Sequence, residues 1–185
     1  MRNLVFFLEE ASAKAMLEGL LPRLLPADVF TKFIVFEGKS DLEKQLERRL
    51  KGWLAPDCFF VVLRDQDSGD CIAIKEQLVE KCRRANKPAA LVRVACRELE
   101  SWYLGDLKAV ENALHIRHLA RHQTDKKYQE PDKLHRPSEE LMRLTSGRYQ
   151  KVAGSRDIGP HLAFDANHSR SFRIFLSGIK KVLDF

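Results

Sequence analysis

Four short apolar runs punctuate the first half of the chain: Leu4-Val-Phe-Phe-Leu8, Phe33-Ile-Val-Phe36, Cys58-Phe-Phe-Val-Val-Leu63 and Ala90-Leu-Val-Arg-Val-Ala-Cys96. They are β-branched or aromatic and do not alternate with polar residues, the pattern of strands buried on both faces of a parallel sheet. Between them the spacing turns helical. Ser12 to about Leu21 predicts a first helix, limited by Pro22 and Pro26. Ser40-Asp-Leu-Glu43 predicts a capping box that opens a second helix ending near Gly52. Cys71 to about Ala85 predicts a third, with Ile72, Ile74, Leu78, Val79 and Cys82 toward the sheet. The order β-α-β-α-β-α-β implies an α/β fold, Rossmann-like, with right-handed crossovers and helices on both faces of a parallel sheet.

After Cys96 the pattern changes. Leu99, Trp102, Tyr103 and Leu104 cluster at near-helical spacing, which reads as core in preference to a platform for stacking bases. Helices are predicted over about Leu107 to His115, Ser138 to Leu144 and Ser171 to about Val182, the last using Phe172, Phe175, Leu176 and Ile179. The stretch from Arg117 to Pro137 is polar, basic and broken by Pro131 and Pro137, and so reads as an exposed excursion. Residues 1–105 are expected to form the α/β core, and 106–185 a mostly helical extension packed on the same domain. A chain of 185 residues is long enough to bury such a core without disulfides or structural metal.

The composition, 44% hydrophobic and 31% charged, excludes a disordered chain, a collagen-like chain and a membrane bundle. No apolar stretch approaches the ~20 residues of a membrane span, and Glu9 and Glu10 close the short N-terminal run too early for a signal peptide. Cys58, Cys71, Cys82 and Cys96 are spaced too widely for a zinc knuckle and read as reduced thiols, so a cytoplasmic protein with no membrane partner is expected. Lys and Arg outnumber the acids 32 to 26, a net charge of +6 that tilts the partner list mildly toward polyanions. Lys126, Lys127, Lys133, Arg136, Arg143 and Arg148 could supply a footprint for DNA or RNA, or simply line a solvated loop.

Ligands of open parallel sheets collect at the carboxyl ends of the strands, and here those ends are acidic. The first strand ends in Glu9-Glu10, the second in Glu37, the third in Arg64-Asp65-Gln66-Asp67-Ser68-Gly69-Asp70, and the fourth leads into Arg97-Glu98-Leu99-Glu100. Asp65 and Asp67, two apart in a turn, can present both carboxylates to one side of the rim. Hard cations such as Mg²⁺ favour oxygen donors in that arrangement; an Asx turn with a helix cap is the simpler account of a lone Asp-x-Asp, but the second acidic cluster at the end of another strand favours a cation. Glu98 and Glu100 either complete the acidic rim or stabilise a helix start through its dipole. His115, His118 and His122 fall at i, i+3 and i+7, one helical face, without the further ligands a zinc site needs. There is no glycine-rich phosphate loop and no local nucleophile-histidine motif.

Glutamate after a first strand, followed by Asp-x-Asp after a third, resembles the Toprim domain of topoisomerases, primases and related nucleases. Phe7-Leu-Glu-Glu-Ala-Ser-Ala13, Val62-Leu-Arg-Asp-Gln-Asp-Ser-Gly-Asp-Cys71, Ala95-Cys-Arg-Glu-Leu-Glu-Ser-Trp-Tyr-Leu-Gly-Asp106 and Ser171-Phe-Arg-Ile-Phe175 more closely resemble a Toprim-related family called domain of unknown function 4276. The Toprim likeness covers about the first hundred residues, and the second likeness nearly the whole chain. Phe36-Glu-Gly-Lys-Ser-Asp41 looks more like the usual glutamate-glycine motif, but only Glu9 leaves the helix-strand-helix interval that the Toprim order requires before Asp65. Glu10, in the place of the customary glycine, is an alternative ligand. The resemblance implies a Mg²⁺- or Mn²⁺-dependent nuclease or other phosphoryl-transfer protein acting on nucleic acid, in a defence setting beside a separate ATPase. It would use Glu9 as metal ligand or general base and Asp65 and Asp67 as metal ligands, with Asp70 a lesser candidate. Lys14, Arg64 and Lys75 are candidate phosphate contacts, although surface charge is the simpler account of each. The alternative is a non-catalytic α/β module that binds a protein or nucleic acid.

Overall fold

The computed structural model describes Arg2–Asp184. Its centre is a four-stranded, wholly parallel sheet of β1 (Arg2–Leu8), β2 (Val29–Val35), β3 (Cys58–Asp65) and β4 (Leu91–Ala95), in the order β2-β1-β3-β4. The expected α/β fold is therefore present. Helices α1 (Ala11–Leu24), α2 (Lys39–Lys51) and α3 (Cys71–Arg84) make the crossovers. Then follow α4 (Glu100–Leu104), α5 (Leu107–Leu114), α6 (Lys126–Gln129), α7 (Pro137–Leu144), α8 (Lys151–Ile158) and α9 (Arg170–Leu183), with three short 3₁₀ turns among them.

The period-2 alternation of the strands divides the core into two layers. Val5, Phe7, Phe60, Val62 and Val92 pack against Leu42, Leu46 and Leu50 of α2 and Leu78 and Cys82 of α3. Leu4, Phe6, Leu8, Val61 and Leu63 meet α1 and the second half of the chain, including Trp102, Tyr103, Phe172, Phe175 and Ile179. One apolar cluster thus joins residues of both halves. Trp102, fully buried, rests 5.2 Å from Phe172 and 5.0 Å from Phe175, and its indole N–H donates to Ser171 Oγ at 2.8 Å. It is a core residue with its one polar atom satisfied.

Several local expectations are corrected. The capping box does not form: α2 starts at Lys39 after Gly38, whose φ of +98° favours glycine, while Asp41 accepts from the Glu37 amide and Glu43 turns to Arg64. On α3 only Leu78 and Cys82 of the expected apolar face are buried, whereas Ile72 and Val79 are exposed. The Arg117–Pro137 excursion is docked: Tyr128 is fully buried, Leu119 and Pro131 are buried, and Asp132 accepts from Ser169 Oγ at 2.6 Å and the Ser171 amide at 2.7 Å. Of the six candidate footprint cations, four face acids: Lys127 and Arg143 pair with Glu140, Lys133 with Glu130 and Arg136 with Glu139. The histidine face does not exist, because α5 stops at Leu114 and His115 turns left-handed at φ +52°. α8, which lacks apolar periodicity, went unforeseen. It lies against α1 so closely that a Cβ on Gly159, just beyond it, would come 2.3 Å from the Met16 carbonyl oxygen.

Candidate functional site

Register places the first pair of acids. β1 and β3 are neighbours with Leu8 opposite Leu63, and the Glu9 amide donates to the Leu63 carbonyl at 3.2 Å. Glu9 therefore leaves β1 beside the last residue of β3, and its Oε2 accepts from the Asp65 amide at 3.1 Å. Alternation along β3 sends Arg64 one way, toward Glu43 on α2, and Asp65 the other, toward α1 and α4. Arg64 is only 4% exposed; its Nε lies 3.7 Å from Glu9 Oε2 and donates to the Asp65 carbonyl at 2.9 Å. Buried and set between Glu9 and Glu43, it positions the Glu9 carboxylate.

Two further acids surround Asp65. Glu10 immediately precedes α1 in extended conformation without capping it; its carboxylate accepts from Ser12 Oγ at 2.7 Å and pairs with Lys151 Nζ at 2.7 Å. Glu100, at the start of α4, is fully buried and accepts from Tyr149 Oη at 2.8 Å, while its Oε2 has no hydrogen-bond partner among the described residues. The neighbouring Tyr103 hydroxyl, also fully buried, likewise has none. Burial pushes the Asp65 carboxyl well above the usual carboxylate range, and the charges of Glu100, Glu10 and Glu9 push it further. Glu9 is raised by burial against the pull of the Asp65 amide and Arg64, and Glu100 is raised by burial against the Tyr149 hydrogen bond and Lys151. Lys151 is held above its ordinary range because Glu10, Glu100 and Asp65 outweigh its own burial.

The remaining candidates have other occupations. Asp67 adopts a left-handed conformation at φ +54°, donates its amide to the Arg97 carbonyl at 2.7 Å and pairs with Lys39 Nζ at 3.0 Å. The twin aspartates thus diverge, Asp65 inward and Asp67 onto the rim, although Asp67 is near enough for its charge to raise Glu9. Asp70 caps α3 through the Ala73 amide at 2.7 Å, and Glu98 accepts from the Ser138 amide at 2.7 Å at the start of α7. Lys14 faces Glu18, Lys75 lines a separate cleft between α3, β4 and α9, and Glu37 is exposed. Among the described residues, no three His, Cys, Asp or Glu side chains converge closely enough to hold a metal ion.

Sequence reasoning missed Tyr149 and Lys151, which reach Glu100 and Glu10 from the turn before α8 and its first residue, and Ser155, which backs the Tyr149 hydroxyl, because no local motif marks them. Lys39 was visible in Glu37-Gly-Lys-Ser40 but set aside with Glu37.

These features define a class, a parallel α/β protein with an acidic, partly buried site where the strands end. Over residues 8–180 the chain matches the family described as Domain of unknown function (DUF4276), and it belongs to that family. No curated protein and no solved structure matches it. No helix among the described residues is long and apolar enough to cross a membrane.

Proposed function

We propose that this chain is a Toprim-like, Mg²⁺- or Mn²⁺-dependent phosphoryl-transfer protein that acts on nucleic acid, in its simplest form a nuclease, with any ATP-driven step left to a separate ATPase. One observation carries the reading: at the carboxyl ends of adjacent parallel strands the partly buried Glu9 carboxylate accepts from the Asp65 amide, and the buried Asp65 carboxyl is crowded by the charges of Glu100, Glu10 and Glu9. Like charges so placed disfavour one another unless a cation offsets them. The donors suit a hard divalent ion, being carboxylate oxygens, one of them on Glu100 with no partner among the described residues. Asp65 and Glu9 would hold it.

Bound there, the ion would offset charge on the phosphate and on the leaving oxygen. As the alternative to ligating the ion, Glu9, with its raised affinity for protons, is the candidate base for the attacking water. Arg64 fixes its carboxylate from behind, while Lys151 and Tyr149 hold Glu10 and Glu100 in place. Asp67, expected to share the ion, is engaged by Lys39 and would act as a rim charge.

The test is cleavage of labelled single- and double-stranded DNA and RNA with Mg²⁺ or Mn²⁺, alongside calorimetric metal titration. Wild type should cleave and bind the ion, and Asp65→Asn or Glu9→Gln should reduce cleavage by about 10²–10³ or more while remaining folded. No heat of binding and no product with any substrate would defeat the reading. It would favour a non-catalytic binding module, for which the Lys39–Asp67 and Lys151–Glu10 pairs already speak.

A further inference from the structure

Beside the acidic site, on the outer rim, opens a cleft of about 490 Å³ lined by Lys39, Asp67, Arg97, Glu98, His135 and Arg136 together with Ser68. Four separate segments meet there: the first turn of α2, the β3–α3 loop, the turn after β4, and the end of the docked excursion. We propose that this cleft is a phosphate subsite that grips the backbone of a polynucleotide strand next to the reacting group. It rests on the nucleic-acid reading above and assigns a task to the excursion, which otherwise only packs.

The charge arrangement supports it. Three permanent cations face two acids, 3 − 2 = +1, but the acids are already engaged. Asp67 pairs with Lys39 at 3.0 Å, and Glu98 accepts from the Ser138 amide at 2.7 Å. Among the described residues Arg97 and His135 have no ion-pair partner. Arg136 faces Glu139 at 3.1 Å, with their side chains 73% and 66% exposed, so exchanging that carboxylate for a phosphate costs little. A planar guanidinium binds phosphate through two parallel hydrogen bonds, which suits Arg97 and Arg136 to this anion.

The backbone supports it as well. Arg97 is left-handed at φ +62° and faces Asp67, left-handed at φ +54°, across the 2.7 Å hydrogen bond from the Asp67 amide to the Arg97 carbonyl. A non-glycine residue in that region carries a conformational cost. The paired turns hold Arg97 at the mouth of the cleft, beside the strand ends, where a helix beginning directly after β4 would have carried it elsewhere. His135 and Arg136 come to the same mouth because Pro137 starts α7 immediately after them.

The experiment measures binding of a fluorescent single-stranded oligonucleotide to the full chain at several salt concentrations with EDTA present, so that no cleavage intervenes. Inorganic phosphate and pyrophosphate serve as competitors. Arg97→Gln with Arg136→Gln should weaken binding by about tenfold or more and flatten the slope of log affinity against log salt by about 1 to 2. Lys180→Gln with Lys181→Gln, on α9, is the charge-matched control and should leave both unchanged. Equal losses in the control and the cleft variant, or no loss in the cleft variant, overturn the proposal. Oligonucleotide binding that is absent in wild type, with phosphate protecting wild type but not the variant against thermal unfolding, would replace the polynucleotide by a small phosphorylated ligand and also overturn it. If Asp65→Asn leaves cleavage intact while the cleft variant loses binding, the metal reading falls and the subsite stands.

Discussion

Replacing Tyr149 with phenylalanine should destabilise the protein by about 2 kcal/mol, and more at alkaline than at acid pH. The hydroxyl donates at 2.8 Å to Glu100, a fully buried carboxyl whose other oxygen has no partner among the described residues. A hydrogen bond to a charged group contributes about 1.5–3 kcal/mol, and the variant leaves that carboxyl bare. Phenylalanine keeps the ring, including its edge contact 6.0 Å from Tyr103, so little cavity opens. For a chain of this length about 2 kcal/mol corresponds to a fall in Tm of about 4–8 °C. The pH dependence has a definite sign. Burial raises the Glu100 carboxyl and the Tyr149 hydrogen bond opposes that rise. Without the hydroxyl the ionised form is disfavoured further, so the loss grows as pH rises through the raised Glu100 value and shrinks as pH falls below it. Urea unfolding at pH 5 and pH 8, in a double-mutant cycle with Glu100→Gln, measures both effects. An equal loss with and without Glu100, or at both pH values, would refute the reasoning, since contacts of the Tyr149 hydroxyl with Ser155 would then account for it.

Two other outcomes follow from the same electrostatics. Asp65, Glu9 and Glu100 all hold protons more tightly folded than unfolded, so their contribution to stability is complete at pH values below the ordinary carboxylate range and is lost as pH rises through the folded values. Asp65→Asn should flatten that decline in a series of urea midpoints and leave the protein more stable than wild type at pH 8; a variant less stable than wild type there would contradict the crowding. Glu43→Ala removes the main partner of Arg64, which is 4% exposed, and should cost about 3 kcal/mol, the low end for a broken buried pair because Glu43 is itself one-third exposed. Adding Arg64→Met should recover part of that loss in the same thermal assay, and no recovery would show that the orphaned charge is not the cause.

The fold was legible because its signals are local. Uninterrupted apolar strands such as Cys58–Leu63 and helices of the right length between them admit few arrangements other than a parallel sheet. The pairing of Glu9 with Asp65 was also within reach, since residues that end adjacent parallel strands in register must be neighbours. The capping box was misread because Ser40 and Glu43 compete with tertiary partners: Arg64, buried below, takes Glu43. The excursion was misread because its polar composition conceals single anchors, Leu119, Tyr128 and Asp132.

Sequence by itself determined the sheet, its crossovers and the gathering of acids where the strands end, because strand period and connection length are properties of neighbouring residues. Only the tertiary structure decided which acids share a neighbourhood. Asp65 and Asp67 part company because Asp65 ends the strand while Asp67, two residues on, turns left-handed and bonds to the Arg97 carbonyl, while Glu100, Tyr149 and Lys151 join Asp65 from segments up to 86 residues away along the chain, 151 − 65 = 86. Burial and charge act through space, and no spacing in the sequence encodes the distance at which they act.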